Sequence, residues 1–198
     1  MAAIQQALMA VGGIPYAVDA ADFDGTNDYL LRGAGLTGAA DSKVGTISFW
    51  FRMDGGDGSQ LAIFESTLDR FTVDREGTNA IRVIGLDGGG TERLNIATTS
   101  AFTTSATWHH FWATWDLSVA DTWYIYIDGS SQGVKTTFAN VDVDFTSTDW
   151  AVGAKTDGTI KFNGCLAELW FANVYMSAVG AVELFRTVRG KPVDLGTT

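Results

Sequence analysis

His109 and His110 are the chain's two histidines, set between Trp108 and Phe111. Imidazoles bind metals or move protons near neutral pH. Neighbours on a strand point to opposite faces, so this pair shares no metal and reads as packing and hydrogen-bonding residues. Carboxylates are the next candidates. Retaining glycoside hydrolysis needs two carboxyl groups about 5–5.5 Å apart. The nearest alternation is Asp142 and Asp144, which reads as the outward side of a strand burying Val141, Val143 and Phe145. Two loops are rich in oxygen: Asp54-Gly55-Gly56-Asp57-Gly58, and Asp24 with Asn27 and Asp28. Each reads as a turn whose side chains bond their own backbone, or as a cation site. Seven tryptophans supply rings that either fill a core, pack against another subunit or stack on a sugar, Trp50, Trp112, Trp123 and Trp150 being the candidates for stacking. Cys165 is the lone thiol; it sits in an apolar pattern and reads as a small buried residue.

These residues ride on strands. Trp108 to Asp116 is apolar on both alternating faces, so both sides of that strand are expected to be covered. Trp123 to Ile127 runs into Asp128-Gly129, a strong hairpin signal. Further strands are expected at Phe23–Leu31 (strand, turn, strand), Thr46–Phe51, Leu61–Phe64, Phe71–Asp74, Ala80–Gly85, Arg93–Ala97, Gln132–Lys135, Trp150–Ala154 and Phe162–Phe171. Ser177 to Arg186 has helical periodicity, with Ser177 as N-cap and Val182 and Phe185 toward the sheet; Gly190-Lys191-Pro192 ends it. Residues 1–20 carry no charge before Asp19. Ile4, Leu8 and Val11 fall at helical spacing there, with Met9 beside them, which reads as an arm that packs on its own domain or on a partner subunit.

The 198 residues hold 23 glycines and two prolines and carry a formal net charge of −10. That composition suits many short strands joined by tight turns, and no linker interrupts the chain. The expected division is an arm over 1–20 and one domain over 21–198. The acidity argues against nucleic acid and anionic membranes as partners. No apolar run reaches transmembrane length. With no basic n-region at its start, the chain is expected to be made in the cytoplasm.

Five motifs then appear in order. Phe23-Asp24-Gly25-Thr26-Asn27-Asp28-Tyr29-Leu30 opens the series, followed by Thr46-Ile47-Ser48-Phe49-Trp50-Phe51. Trp108-His109-His110 through Trp115-Asp116 comes next, then Tyr126-Ile127-Asp128-Gly129. Phe162-Asn163-Gly164-Cys165-Leu166-Ala167-Glu168-Leu169-Trp170-Phe171-Ala172-Asn173 closes it. Over roughly 21–190 the chain resembles a concanavalin A-like lectin/glucanase domain of the laminin-G-like and pentraxin-like type. The resemblance implies an all-β, two-sheet antiparallel jelly-roll sandwich, and it implies calcium, for which Asp54, Asp57, Asp24 and Asp28 are the ligand candidates. Retaining laminarinase-like enzymes of this fold carry Glu-x-Asp-x-Glu on one strand. The chain lacks that motif, and Glu168, at the family's usual acidic position, reads as structural or as a rim residue. The start of the chain, rich in Ala, Gln and Met, resembles virion proteins of tailed bacteriophages.

The sequence therefore points to a non-enzymatic virion surface or structural protein, as capsid decoration or as a tail or fibre component. Ile4, Leu8, Met9 and Val11 would anchor it to other virion proteins or to further copies of itself. The alternative is a carbohydrate-binding module for host surface glycans. A glycoside hydrolase, using Asp142, Asp144 or Glu168, stands third.

Overall fold

The computed structural model describes residues 19–177, which form thirteen β-strands and one short 3-10 turn. The arm residues Ile4, Leu8, Met9 and Val11 and all of the expected late helix except Ser177 lie outside that range.

Two antiparallel sheets face each other. The six-stranded sheet runs in the order β1 (Ala21–Asp24), β13 (Asn163–Ala172), β3 (Val44–Met53), β8 (His109–Asp116), β9 (Trp123–Ile127) and β10 (Ser130–Gln132). The seven-stranded sheet runs β11 (Val134–Phe138), β7 (Glu92–Ala97), β6 (Ile81–Leu86), β5 (Phe71–Arg75), β4 (Leu61–Ser66), β12 (Trp150–Val152) and β2 (Leu30–Leu31). This is the jelly-roll sandwich that the motif order implied. Alternation explains the core. Ile47, Phe49, Phe51 and Met53 from β3 meet Phe71, Val73, Ile81 and Val83 from the other sheet, all within one apolar cluster. Rings dominate the packing: Phe49 stacks on Phe111 at 4.9 Å and Phe64 on Trp150 at 5.0 Å between centroids.

Strand β8 is buried on both faces, as its apolar pattern requires. Phe111, Ala113 and Trp115 enter the core, while His110, Trp112 and Thr114 on the opposite face are each 0% exposed. The segment after β13 lies across this outer face: Thr46 Oγ1 donates to Val174 O (2.7 Å) and Met176 N to Thr114 Oγ1 (3.2 Å).

The Asp128-Gly129 hairpin forms as expected, both residues having positive φ (52° and 81°). Gln132 to Lys135, expected as one strand, is divided between the two sheets. Gly133 ends β10 in one and opens the path to β11 in the other. Its φ of 130° would strain any other residue, and Ala97 O, 3.1 Å from where a Cβ would stand, makes a side chain tight there.

Candidate functional site

The expected tryptophan platform does not exist at Trp50, Trp112 and Trp150. These rings are 2%, 0% and 2% exposed. Trp150 packs in the core and donates Nε1–H to Ser147 O (3.2 Å); Trp50 and Trp112 lie under the covered outer face of the six-stranded sheet. Trp123 is half-buried against the core. The physical reason is volume: a sandwich of this size uses its largest rings as filling. Among the described residues, Tyr29 and Tyr124 are the exposed aromatic rings, at 36% and 38%.

The expected calcium ligands are committed elsewhere. Asp24 Oδ1 accepts from the backbone N–H of Thr26 (2.7 Å) and Asn27 (3.1 Å), which holds its carboxyl below the usual range. Asp28 Oδ2 accepts weakly from Asp24 N (3.4 Å). Asp54 is clamped by Arg52 through two bonds of 2.8 and 2.7 Å, and its carboxyl is lowered by that guanidinium. Asp57 accepts from Thr104 N and Oγ1 (2.9 and 3.1 Å) and from Arg75 (3.3 Å).

Arg75 is the group that the sequence did not reveal. It alternates with Phe71 and Val73 on the inner side of β5, at the end of the sandwich, and is 0% exposed. Its guanidinium donates to the carbonyls of Gly55, Gly56, Ser59 and Phe102. Asp57 and the carbonyls of Gly55, Gly56 and Ser59 therefore surround an arginine, and that part of the loop does not fit a metal. Burial pushes the Arg75 guanidinium down from its ordinary value, and Asp57 opposes that. A second cluster, Asp22, Asp54 and Cys165, brings its ligand atoms within 4.8 Å of one another. Arg52 Nη2 stands among them too, 3.2 Å from Cys165 Sγ, and burial raises the thiol to about 11.

His110 Nε2 lies 2.8 Å from Ser48 Oγ, both buried; His109 Nδ1 lies 2.7 Å from Asp128 Oδ2. These are the packing and hydrogen-bonding roles expected of them. Asp144 bonds Thr146 and faces Arg70 at 3.7 Å, while Val143 and Phe145 beside it are buried. Glu168, at positive φ, sits in the bulge of β13.

What the fold does assemble is a polar outer face on the seven-stranded sheet. The register places Glu65, Thr72, Ile84, Asn95 and Thr137 in one row and Ala62, Asp74, Arg82, Ala97 and Val134 in the next. Asp74 is the hub of one network: it accepts from Arg82 Nη2 (2.7 Å) and Nε (3.1 Å) and from Gln60 Nε2 (2.5 Å). Arg82 also pairs with Glu76 at 2.8 Å. On β7, Glu92 accepts from Asn95 Nδ2 (3.1 Å) and from Thr137 Oγ1. Thr72 Oγ1, buried among them, has no hydrogen-bond partner among the described residues. At the far end Glu65, 2% exposed, accepts from Thr156 N (3.2 Å); burial and the neighbouring Asp69 raise its carboxyl to about 9. The signal was present in the sequence: alternation in Phe71-Thr72-Val73-Asp74 puts Thr72 and Asp74 on one outward face.

The comparisons agree with this architecture. Residues 24–179 match the family described as concanavalin A-like lectin/glucanases superfamily. No curated protein sequence matches the chain. Among solved structures, a heptameric SAP-like pentraxin from Limulus polyphemus aligns at 13% identity with a TM-score of 0.56, over 79% of this chain and 76% of the pentraxin. The binding domain of botulinum neurotoxin serotype G aligns at 18% identity and TM-score 0.61, over 82% of this chain and 41% of that one. The NanB sialidase of Streptococcus pneumoniae aligns at 15% identity and TM-score 0.57, over 80% of this chain and 26% of that one. The chain thus spans less than half of the toxin domain and about a quarter of the sialidase. The fold, the ordered motifs and the span of the family match together place this chain in the concanavalin A-like lectin/glucanases superfamily.

Proposed function

We propose that this chain is a non-enzymatic recognition domain of lectin type, which presents the outer face of its seven-stranded sheet to a glycan. The observation that carries the reading is the fixed array of amide, carboxylate and guanidinium groups reaching from Gln60 across Asp74 and Arg82 to Asn95, Glu92 and Thr137. Sugar hydroxyls are bound by planar polar groups held in advance by their neighbours. The same pairing argues against hydrolysis, since the Asp74 carboxylate is occupied by Arg82 and Gln60. The setting we propose is the surface of a tailed-phage virion. It rests on the uncharged stretch before Asp19 and on the resemblance of that stretch to virion proteins, with residues 1–20 binding neighbouring subunits.

The test is a glycan array probed with the whole chain, beside Gln60→Ala and Asn95→Ala. Binding to a sugar class should weaken about 3- to 10-fold in each variant, the worth of one hydrogen bond of ~1 kcal/mol. Binding unaffected by both changes, release of a cleaved product, or silence across the array refutes the recognition face. For the anchor, deleting residues 2–16 should leave the sandwich folded and prevent incorporation into particles. Full incorporation of the truncated chain refutes it.

A further inference from the structure

A single cysteine rules out an internal disulfide, yet one corner of the sandwich holds the parts of another covalent staple. Lys155, in the loop after β12, places Nζ 2.7 Å from Oδ1 of Asp69, which lies 86 residues earlier in the turn between β4 and β5. That turn is strained: Leu68 and Asp69 are consecutive non-glycine residues at φ 61° and 56°. Such a conformation costs energy and persists only where its surroundings enforce it. Here it directs the Asp69 carboxylate to Lys155, and the buried carboxyl of Glu65 neighbours Asp69 closely enough to be raised by it. Asp157 is the other charged group acting on this lysine.

We propose that Lys155 and Asp69 condense into an intramolecular amide, with Glu65 relaying the proton. The 2.7 Å contact holds Nζ against the Asp69 carboxyl group, and attack needs it to move over Cγ to within about 3–3.5 Å. The Lys155 ammonium passes one proton to Asp69 Oδ1, the oxygen it is bonded to, and its nitrogen lone pair forms the C–N bond to Asp69 Cγ. Glu65, as the acid, supplies the second proton to that same oxygen and regains a proton from the attacking nitrogen. The tetrahedral centre collapses with cleavage of C–O, and that oxygen leaves as water. Ammonium plus carboxylate becomes amide plus water, so atoms and charge balance without an oxidant, a nucleotide or a metal. The burial of Glu65 keeps it protonated at neutral pH, as the relay requires. The product ties the β4–β5 turn to the β12–β13 loop, beside the short edge strand β2.

The experiment is intact-mass spectrometry of the purified full chain after prolonged incubation at neutral pH, followed by peptide mapping. The wild type should be lighter than its sequence by one water and yield a branched peptide joining residues 69 and 155. Lys155→Arg, which keeps the ion pair, and Glu65→Gln should both run at full mass and melt at a lower Tm. A wild-type chain at full mass overturns the proposal. So does a loss of water that survives Lys155→Arg, which marks a cyclic imide at one of the six Asp-Gly pairs instead. Condensation that proceeds unchanged in Glu65→Gln removes Glu65 from the chemistry and overturns the relay.

Discussion

Arg75 does for the Asp54–Ser59 loop what a bound cation does in an acidic turn: it gathers carbonyls and one carboxylate around a positive charge. The difference is that the charge is covalently part of β5 and needs no metal in solution. Arg75→Met keeps the stem and removes the charge, leaving several carbonyls unmatched. Breaking a buried charged network typically costs 3–5 kcal/mol; with Asp57 partly exposed (44%), about 3 kcal/mol is expected in chemical denaturation. Millimolar calcium should leave the wild-type Tm unchanged, because a ligand stabilises only what it binds. Glu65 gives a second expectation at this scale, tested in the Lys155→Arg background where no amide forms. Its folded carboxyl titrates near 9, above the ordinary 4.5, so between those values the folded state holds a proton that the unfolded state has released. The contribution is complete below about 4.5 and is lost as pH rises through about 9. Asp69, lowered beside it, works in the opposite sense at acid pH. Denaturation midpoints of Lys155→Arg should therefore fall from pH 6 to pH 9 relative to Lys155→Arg/Glu65→Gln, and parallel profiles would show that Glu65 is not held protonated.

At the scale of elements, the strands were legible because alternation and Asp-Gly turns are local. β3, β8, β9 and β13 stand where their motifs placed them, and the two-sided burial of β8 follows from its lack of a wet face. Four things were not legible. The change of sheet at Gly133 is invisible to a pattern read along one strand, since Gln132 and Val134 look continuous until each must find a partner. The burial of Trp50 and Trp112 depends on what covers the outer face of the six-stranded sheet, including the chain around Val174 and Met176. A strand read alone shows that its second face is apolar and not whether a ligand or the chain itself covers it. The polar face of the other sheet depends on register: Gln60 precedes β4, Asp74 is on β5 and Arg82 on β6, and they align only once the β4–β5 and β5–β6 ladders form. Candidate residues drawn from ring type and loop composition therefore missed the positions that register assembles. Arg75 was missed for a related reason, because a charged residue ending a strand looks solvated until a loop folds over it.

For the whole molecule, the governing quantity is the net charge of −10. The cations around the polar face are already taken: Arg82 by Asp74 and Glu76, Arg93 by Asp87, and Lys155 by Asp69, whether as the ion pair or as the proposed amide. A ligand arriving there meets neutralised pairs within an acidic field, so on the proposed reading the face should favour glycans without carboxylate or sulfate groups. The field reaches about one Debye length, ~10 Å at 0.1 M salt and ~3 Å at 1 M. Any residual binding of acidic glycans should therefore strengthen as salt rises, while binding of neutral glycans, carried by hydrogen bonds at short range, should scarcely change. Titrations of one neutral glycan and its sulfated counterpart at 0.05 M and 0.5 M salt measure this directly. Preference for the sulfated form at low salt would mean that a free cation dominates the surface, which is incompatible with the pairing of Arg82, Arg93 and Lys155.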